Sequence, residues 1–435
     1  MASRHAPYAR FRHLPFFYGW VIVGIGFVTM AISVTARTSY SLLLPPLLDE
    51  FGWDRGLVAG AFSFGFLVSA VLGPLIGRLM DRRGPRVVIE MGVMMMSCGL
   101  VLAVFIREPW QLYLTLGVLA GAGANCMSYT VQSSFLPNWF VRRRGLALSI
   151  TFSGVGVGAI VLLPLLQSII QEDGWRTACF TIGIVALVVL GPINLFIWHR
   201  PEDVGQRPDG ASEAAAAATK ARASSIVDPA WASTDWTLHR ALRTARFWWI
   251  ALGYASAMFA WYAVQVHQTK YLIEIGIAPL EAALALGLVS IVAIPGQIAL
   301  GALSDRIGRE WVWSVGCIGF AICYIALIGL EHHPTRILLY VMVIAQGLLG
   351  YALPSVMGPI AVEIFEGPQY GRIFGTLSIA LVVGGAIGPW AAGVIYDRTG
   401  SYNLGFIIAI ACCVVSSLAI WLAAPRTVRR VAGRR

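Results

Sequence analysis

Twelve apolar stretches of about 20 residues or more, separated mostly by short polar turns, leave this chain few ways to fold. They fall at 16–44, 57–80, 87–106, 110–136, 145–171, 177–198, 247–272, 281–304, 311–330, 337–362, 373–396 and 402–424. Of the 435 residues 57% are hydrophobic and 12% charged, and the mean hydropathy is +0.73. A water-soluble core cannot hide that much apolar surface. The pattern predicts an all-α polytopic membrane protein with twelve transmembrane helices in two pseudo-symmetric six-helix bundles.

A formal net charge of +10 would suit a nucleic-acid surface, but its placement argues otherwise. With a cytoplasmic N-terminus, the segments on that side carry 25 Lys or Arg. The opposite loops carry six: Arg55, Arg107, Arg176, Lys270, Arg336 and Arg398. This is the positive-inside asymmetry. It predicts a multi-pass plasma-membrane protein (the inner membrane in a Gram-negative source) with both termini cytoplasmic, and no nucleic-acid partner. The first apolar run is too long for a signal-peptide core, so it is expected to stay in the mature chain.

The chain reads as two halves. A cytoplasmic N-terminus, 1–15, precedes a bundle over 16–198. A polar linker over 199–245, expected to be part amphipathic helix and part disordered, leads to a second bundle over 246–424 and a basic tail, 425–435. The turn from Gly77 through Asp81, Arg82 and Gly84 to Arg86 returns as Gly301, Asp305, Arg306 and Gly308, with Asp81 and Asp305 separated by 224 residues. A weaker copy runs from Gly393 through Asp397 to Gly400. Gly158-Ala159-Ile160 pairs with Gly385-Ala386-Ile387 at an offset of 227, and Gly174 with Gly400 at 226. Duplicated six-helix halves are a transporter architecture, with the solute site near the midplane between them. Gly154, Gly156 and Gly158 suit close helix approach. The seven cysteines all fall inside apolar stretches without metal-ligand spacing, so packing is their expected role.

These turns and repeats resemble the major facilitator superfamily over nearly the whole chain. Within it the chain looks most like the monocarboxylate and oxalate–formate transporter group. That likeness rests on Tyr18-Gly19-Trp20, Pro46-Leu47, Glu50-Phe51-Gly52-Trp53, Arg143-Arg144-Gly145-Leu146-Ala147, Gly174-Trp175-Arg176, His267 and Gly276. The group commonly places a cation in the eighth span to meet a carboxylate. Here the eighth span reads Ser290 to Ile298 without a charge. The resemblance also implies that spans one, four, seven and ten line the cavity.

Arg37 is the conspicuous charge within a predicted span. An arginine at a helix centre costs about 2.5–3.5 kcal/mol, which calls for a polar cavity, a partner, or snorkelling to the interface. Its planar fork matches a carboxylate. His267 occupies nearly the equivalent place in span seven, so the two are expected to face each other; its imidazole suits proton coupling or solute binding, or a backbone bond near the surface. Asn125, Tyr129 and Gln132 share a face of span four. Tyr351 in span ten and Gln297 in span eight complete the candidate solute-binding residues. Trp261 and Tyr262 read more readily as packing.

The expected gating motif comprises Gly77, Asp81, Arg82, Gly84, Arg86, Gly301, Asp305 and Arg306. Asp81 needs compensation at its helix C-terminus, by Arg82, Arg86 or a facing helix; Arg82 and Arg83 also fit simple topological charge. Glu363 and Glu366 are expected to pair with Arg372. No nucleotide-binding loop, metal cluster or catalytic constellation stands out, so neither cofactor, metal nor enzyme activity is expected. The reading is a secondary active transporter of a small, monocarboxylate-like organic anion, with protons as the coupling ion. A neutral or aromatic solute such as a vitamin or drug-like molecule is the alternative, and a non-transporting sensor a third.

Overall fold

The computed structural model describes residues 17–140, 144–204, 206, 227–366 and 369–428; of these, the side chains at 74, 81, 130, 134, 137, 144–146, 149, 305 and 371 lie outside the description. Among the described residues twelve long helical segments form: α1 (Gly19–Phe51), α2 (Arg55–Arg83), α3 (Pro85–Leu102), α4 (109–139), α5 (144–173), α6 (175–194), α7 (Ala245–Glu274), α8 (Pro279–Ile307), α9 (Arg309–His332), α10 (Arg336–Ile364), α11 (Tyr370–Thr399) and α12 (Asn403–Ala423). All but α4 fall in stretches long and apolar enough to cross a membrane, α5 and α6 as one continuous stretch. Two buried clusters form the cores: one from α1–α6, with a few side chains from α7, α8 and α11, the other from the second half of the chain. With an even number of crossings both chain ends share one face, here named the termini end. The opposite face is the far end.

Helix boundaries follow local chemistry. Thr244 accepts from the Phe247 amide at 3.3 Å to start α7, and Thr335 caps α10 through Leu338 at 3.4 Å. Gly84 and Gly308 end α2 and α8 with φ of 80° and 114°, as their shared place in the repeat predicts. Gly174 and Gly400 match likewise, at 87° and 71°.

Three expectations need correction. α1 does not end near Pro45-Pro46: after a single-residue break at Ser39 it runs on to Phe51, with both prolines inside the helix. The glycine repeat is three residues out of register. Added Cβ atoms on Gly154 and Gly158 would lie 2.1 and 2.2 Å from the carbonyl oxygens of Phe27 and Ala31 in α1. The positions that press on α7 in the same way are Gly384 and Gly388, against Ala255 and Phe259, an offset of 230. Glu363 pairs with Arg309 at 2.9 Å, because the two meet across α9 and α10 at the termini end.

The start of the linker packs on the first half, where Gln206 accepts from the Tyr18 amide at 2.9 Å, and residues 227–244 dock beneath the second. Asp228 caps a short turn of helix at Pro229–Ala232, the Trp231 indole donates to the Ile364 carbonyl at 2.8 Å, and the amides of Val227 and Asp228 both donate to the carbonyl of Val428. Residues 205 and 207–226 of the linker, expected to be part amphipathic helix and part disordered, lie outside the described residues.

Candidate functional site

α4 and α10 both abandon regular α-helical winding near mid-membrane. Each carries a wide π-helical stretch, Tyr113–Gly121 in α4 and Ala345–Leu349 in α10. Each is then interrupted, α4 at 126–128 and α10 by the tight turn Gly350–Ala352. Such interruptions collect at functional sites, because they free backbone groups and turn side chains away from the helix stripe. Tyr129 begins the segment after the α4 break, and Tyr351 sits in the α10 break.

Both tyrosines line a cavity of about 530 Å³ between the halves. Its other walls come from α5 (Phe152, Ser153), α7 (Trp261, Tyr262) and α8 (Ser290, Gln297). Trp261 lies on Tyr351 with ring centroids 4.1 Å apart, and Tyr129 meets Phe152 edge-on at 4.7 Å. Trp261 and Tyr262, read from sequence as packing, thus stand on the wall. Among the described residues that line it there is no Asp, Glu, Lys, Arg or His. The roof is a polar bridge between the halves: the Trp261 indole donates to Gln265 at 3.0 Å, whose amide donates to Thr38 of α1 at 3.3 Å.

Arg37 is close to this cavity without touching it. Its guanidinium lies 4.1 Å from the Phe66 ring centroid, 5.6 Å from Phe62 and 5.5 Å from Tyr262, a cage drawn from α2 and α7. Tyr262 is therefore shared: one ring borders the cavity and the cation. Among the described residues no carboxylate pairs with Arg37. Asn125 and Gln132 are off the cavity wall, the latter fully buried.

His267 does not face Arg37. It is 1% exposed, and its ring nitrogens reach Tyr402 of the α11–α12 turn at 3.0 Å and the Pro389 carbonyl of α11 at 2.8 Å. The rotation of α7 turns it toward α11 and α12, away from any solute cavity.

Beyond the roof, the far end is closed by bonds that cross the halves. Ser41 and Thr269 hydroxyls are 2.8 Å apart, and Lys270 meets Asp49 at 3.0 Å. The Arg55 side chain binds both Glu274 oxygens, donates to the Tyr402 hydroxyl at 2.9 Å and lies 3.4 Å from the Tyr396 ring centroid. Asp397 accepts from the backbone amides of Arg55 and Gly56 at 2.9 and 2.7 Å, so one half caps the first turn of a helix in the other. Gly56 and Gly393 permit this approach: a Cβ on Gly393 would lie 2.8 Å from the Gly56 Cα. Asp397 belongs to the weakest sequence copy of the turn motif. Its position after an outward-running span was the signal that could have placed it at this end.

The two strong motif copies lie at the termini end and hold contacts within their own halves. Arg86 donates to the Ile197 carbonyl at 3.1 Å and covers the Trp198 ring at 4.5 Å. Arg309 joins Ser304 to Glu363. Gly77, Arg82 and Arg306 are exposed and Gly301 is half-buried. The bonds expected of Asp81 and Asp305 fall on side chains outside the described residues.

The family model described as Major Facilitator Superfamily matches residues 26–330 and 268–434. Monocarboxylate transporter 13 of Bos taurus is 24% identical, covering 90% of this chain and 86% of its own length. Monocarboxylate transporter 12 of Homo sapiens is 25% identical, covering 95% and 81%. A solved bacterial homologue of the human lysosomal transporter Spinster, in an inward-facing and occupied conformation, superposes with a TM-score of 0.69 at 17% identity, over 94% of this chain and 97% of that one. With a duplicated twelve-helix fold, a cavity between the halves and a family match over most of its length, this chain belongs to the Major Facilitator Superfamily.

Proposed function

We propose that this transporter carries an organic anion with an aromatic or apolar body, coupled to protons, by rocking of the units 16–198 and 246–424 about the central cavity. The carrying observation is Arg37: a cation within the membrane, held between the halves by aromatic faces and without a carboxylate partner among the described residues. Aromatic faces compensate a desolvated guanidinium by about 2 kcal/mol, less than a bonded carboxylate gives. A solute carboxylate reaching past Tyr262 supplies the missing counter-charge. The cavity is of the size that holds drug-sized ligands, roughly 300–1,000 Å³, so the body of the solute exceeds a two- or three-carbon acid. Similarity to mammalian monocarboxylate transporters supports a carboxylate cargo.

With the termini cytoplasmic, as the positive-inside asymmetry supports, the closed far end faces outward and the cavity exchanges solute with the cytoplasm. Reconstituted protein should take up a labelled aryl carboxylate faster under an inward proton gradient, and Arg37→Gln should cut that uptake at least tenfold. Unchanged uptake by Arg37→Gln removes Arg37 from the site. The uncharged wall supports a second reading, a neutral aromatic solute. Its mark is an aryl amide competing as well as the matching acid.

A further inference from the structure

We infer that His267 is a proton-binding site that controls the far-end gate: neutral, it holds the gate shut, and protonated, it releases Arg55. The inference deepens the proton-coupling reading above by naming the residue and the bond it acts on.

The hydrogen bonds fix the tautomer. The Pro389 carbonyl can only accept, so the Nε2 atom of His267, 2.8 Å away, carries a proton. In the neutral ring Nδ1 is then an acceptor, and the Tyr402 hydroxyl 3.0 Å away donates to it. That leaves the phenol oxygen's lone pairs for Arg55, whose Nη1 donates to it at 2.9 Å. A directed chain results: Arg55 to Tyr402, Tyr402 to His267, His267 to Pro389. Each hydrogen along this chain has one acceptor, and only Arg55 belongs to the first half.

A proton on Nδ1 reverses one link. The imidazolium must donate to the Tyr402 oxygen, and the phenol hydrogen loses its acceptor. One oxygen then receives donors from two cations, a fully buried imidazolium and the Arg55 guanidinium. Repulsion between the two cations adds to the loss of that acceptor, and the element free to move is Arg55, whose pair with Glu274 is partly exposed. Glu274, on the same helix, and Asp397 of α11 keep their charge while bonded to Arg55 and to the α2 amides, and so offset part of the repulsion; the reversed hydrogen bond, not net charge, is what loosens Arg55. Lys270 pairs with Asp49 of α1. Tyr396 of α11 faces Arg55 through its ring, and the hydroxyl of Tyr271, on the same helix, donates to the Leu327 carbonyl of α9. No carboxylate contacts the imidazole itself among the described residues.

Spin labels at Glu108→Cys and His333→Cys, exposed positions on the far-end loops of the two halves, report the gate in proteoliposomes after Cys98 and Cys412 are replaced by serine. Without solute, the far-end separation should lengthen in a roughly tenfold larger fraction of molecules at about pH 4 than at about pH 8. His267→Gln retains one donor and one acceptor without a titrating group and should abolish the response. Tyr402→Phe retains the ring and should abolish it too, so a misfolded glutamine variant does not end the test. A wild type that stays closed at all pH values overturns the inference. So does an acid response of wild-type size in both variants, which would assign it to Glu274, Asp397 or Asp49. Gradient-driven uptake is scored separately: a gate that answers pH while uptake ignores the gradient refutes the coupling reading and leaves the gate standing.

Discussion

The two ends of the molecule use similar residues for opposite purposes. At the far end, Arg55 and Asp397 join the halves to each other. At the termini end, Arg86 and Arg309 brace a half against itself. Both described ion pairs that cross the halves lie at the far end. Polar bonds across an interface can be exchanged for water at modest net cost, whereas braces inside a bundle keep it rigid while the interface opens. The rocking proposed above needs both kinds, and among the described residues they are segregated by membrane face.

That contrast can be broken, most severely at Arg55. Replacing it with alanine leaves Glu274 and Tyr402 without their shared partner, and loss of a partly buried charge pair is worth up to about 3–5 kcal/mol. Far-end separation should lengthen at every pH, and uptake should fall by more than about tenfold. A closed far end in Arg55→Ala would show that packing alone shuts the gate. Arg309→Ala should behave in the contrary way. Its loss should lower thermal stability in detergent by about 1–3 kcal/mol, through the lost bonds to Ser304 and Glu363, with far-end distances unmoved. Movement at the far end would mean that the brace is a gate after all. Lys270→Ala should be the mildest: its partner Asp49 is 70% exposed, and such pairs contribute about 0–1 kcal/mol. Uptake within about twofold of wild type, at both low and high salt, is the expected result.

Much of the fold was legible because bilayer thickness forces a length on apolar stretches, and because Gly84, Gly308, Gly174 and Gly400 mark turns that need positive φ. Hydropathy could not place the end of α1, since Pro45 and Pro46 read as a stop while the packed helix tolerates them. The rotation of α7 was equally hidden. The helix is apolar on nearly every side, so nothing in its pattern says that His267 looks toward Tyr402 while Trp261 and Tyr262 look into the cavity. The contact of Asp397 with Arg55 and Gly56 spans more than 340 residues, and no local periodicity encodes such a meeting.

That contact has one more consequence. α2 supplies no cap of its own, for Asp54 makes no capping bond, and its first two amides are satisfied by a carboxylate on the other half. The parting of the far end proposed above would hand those two hydrogens to water. The exchange of deuterium into the Arg55 and Gly56 amides would then be a clock for that opening, written into the backbone and readable in the unmodified protein.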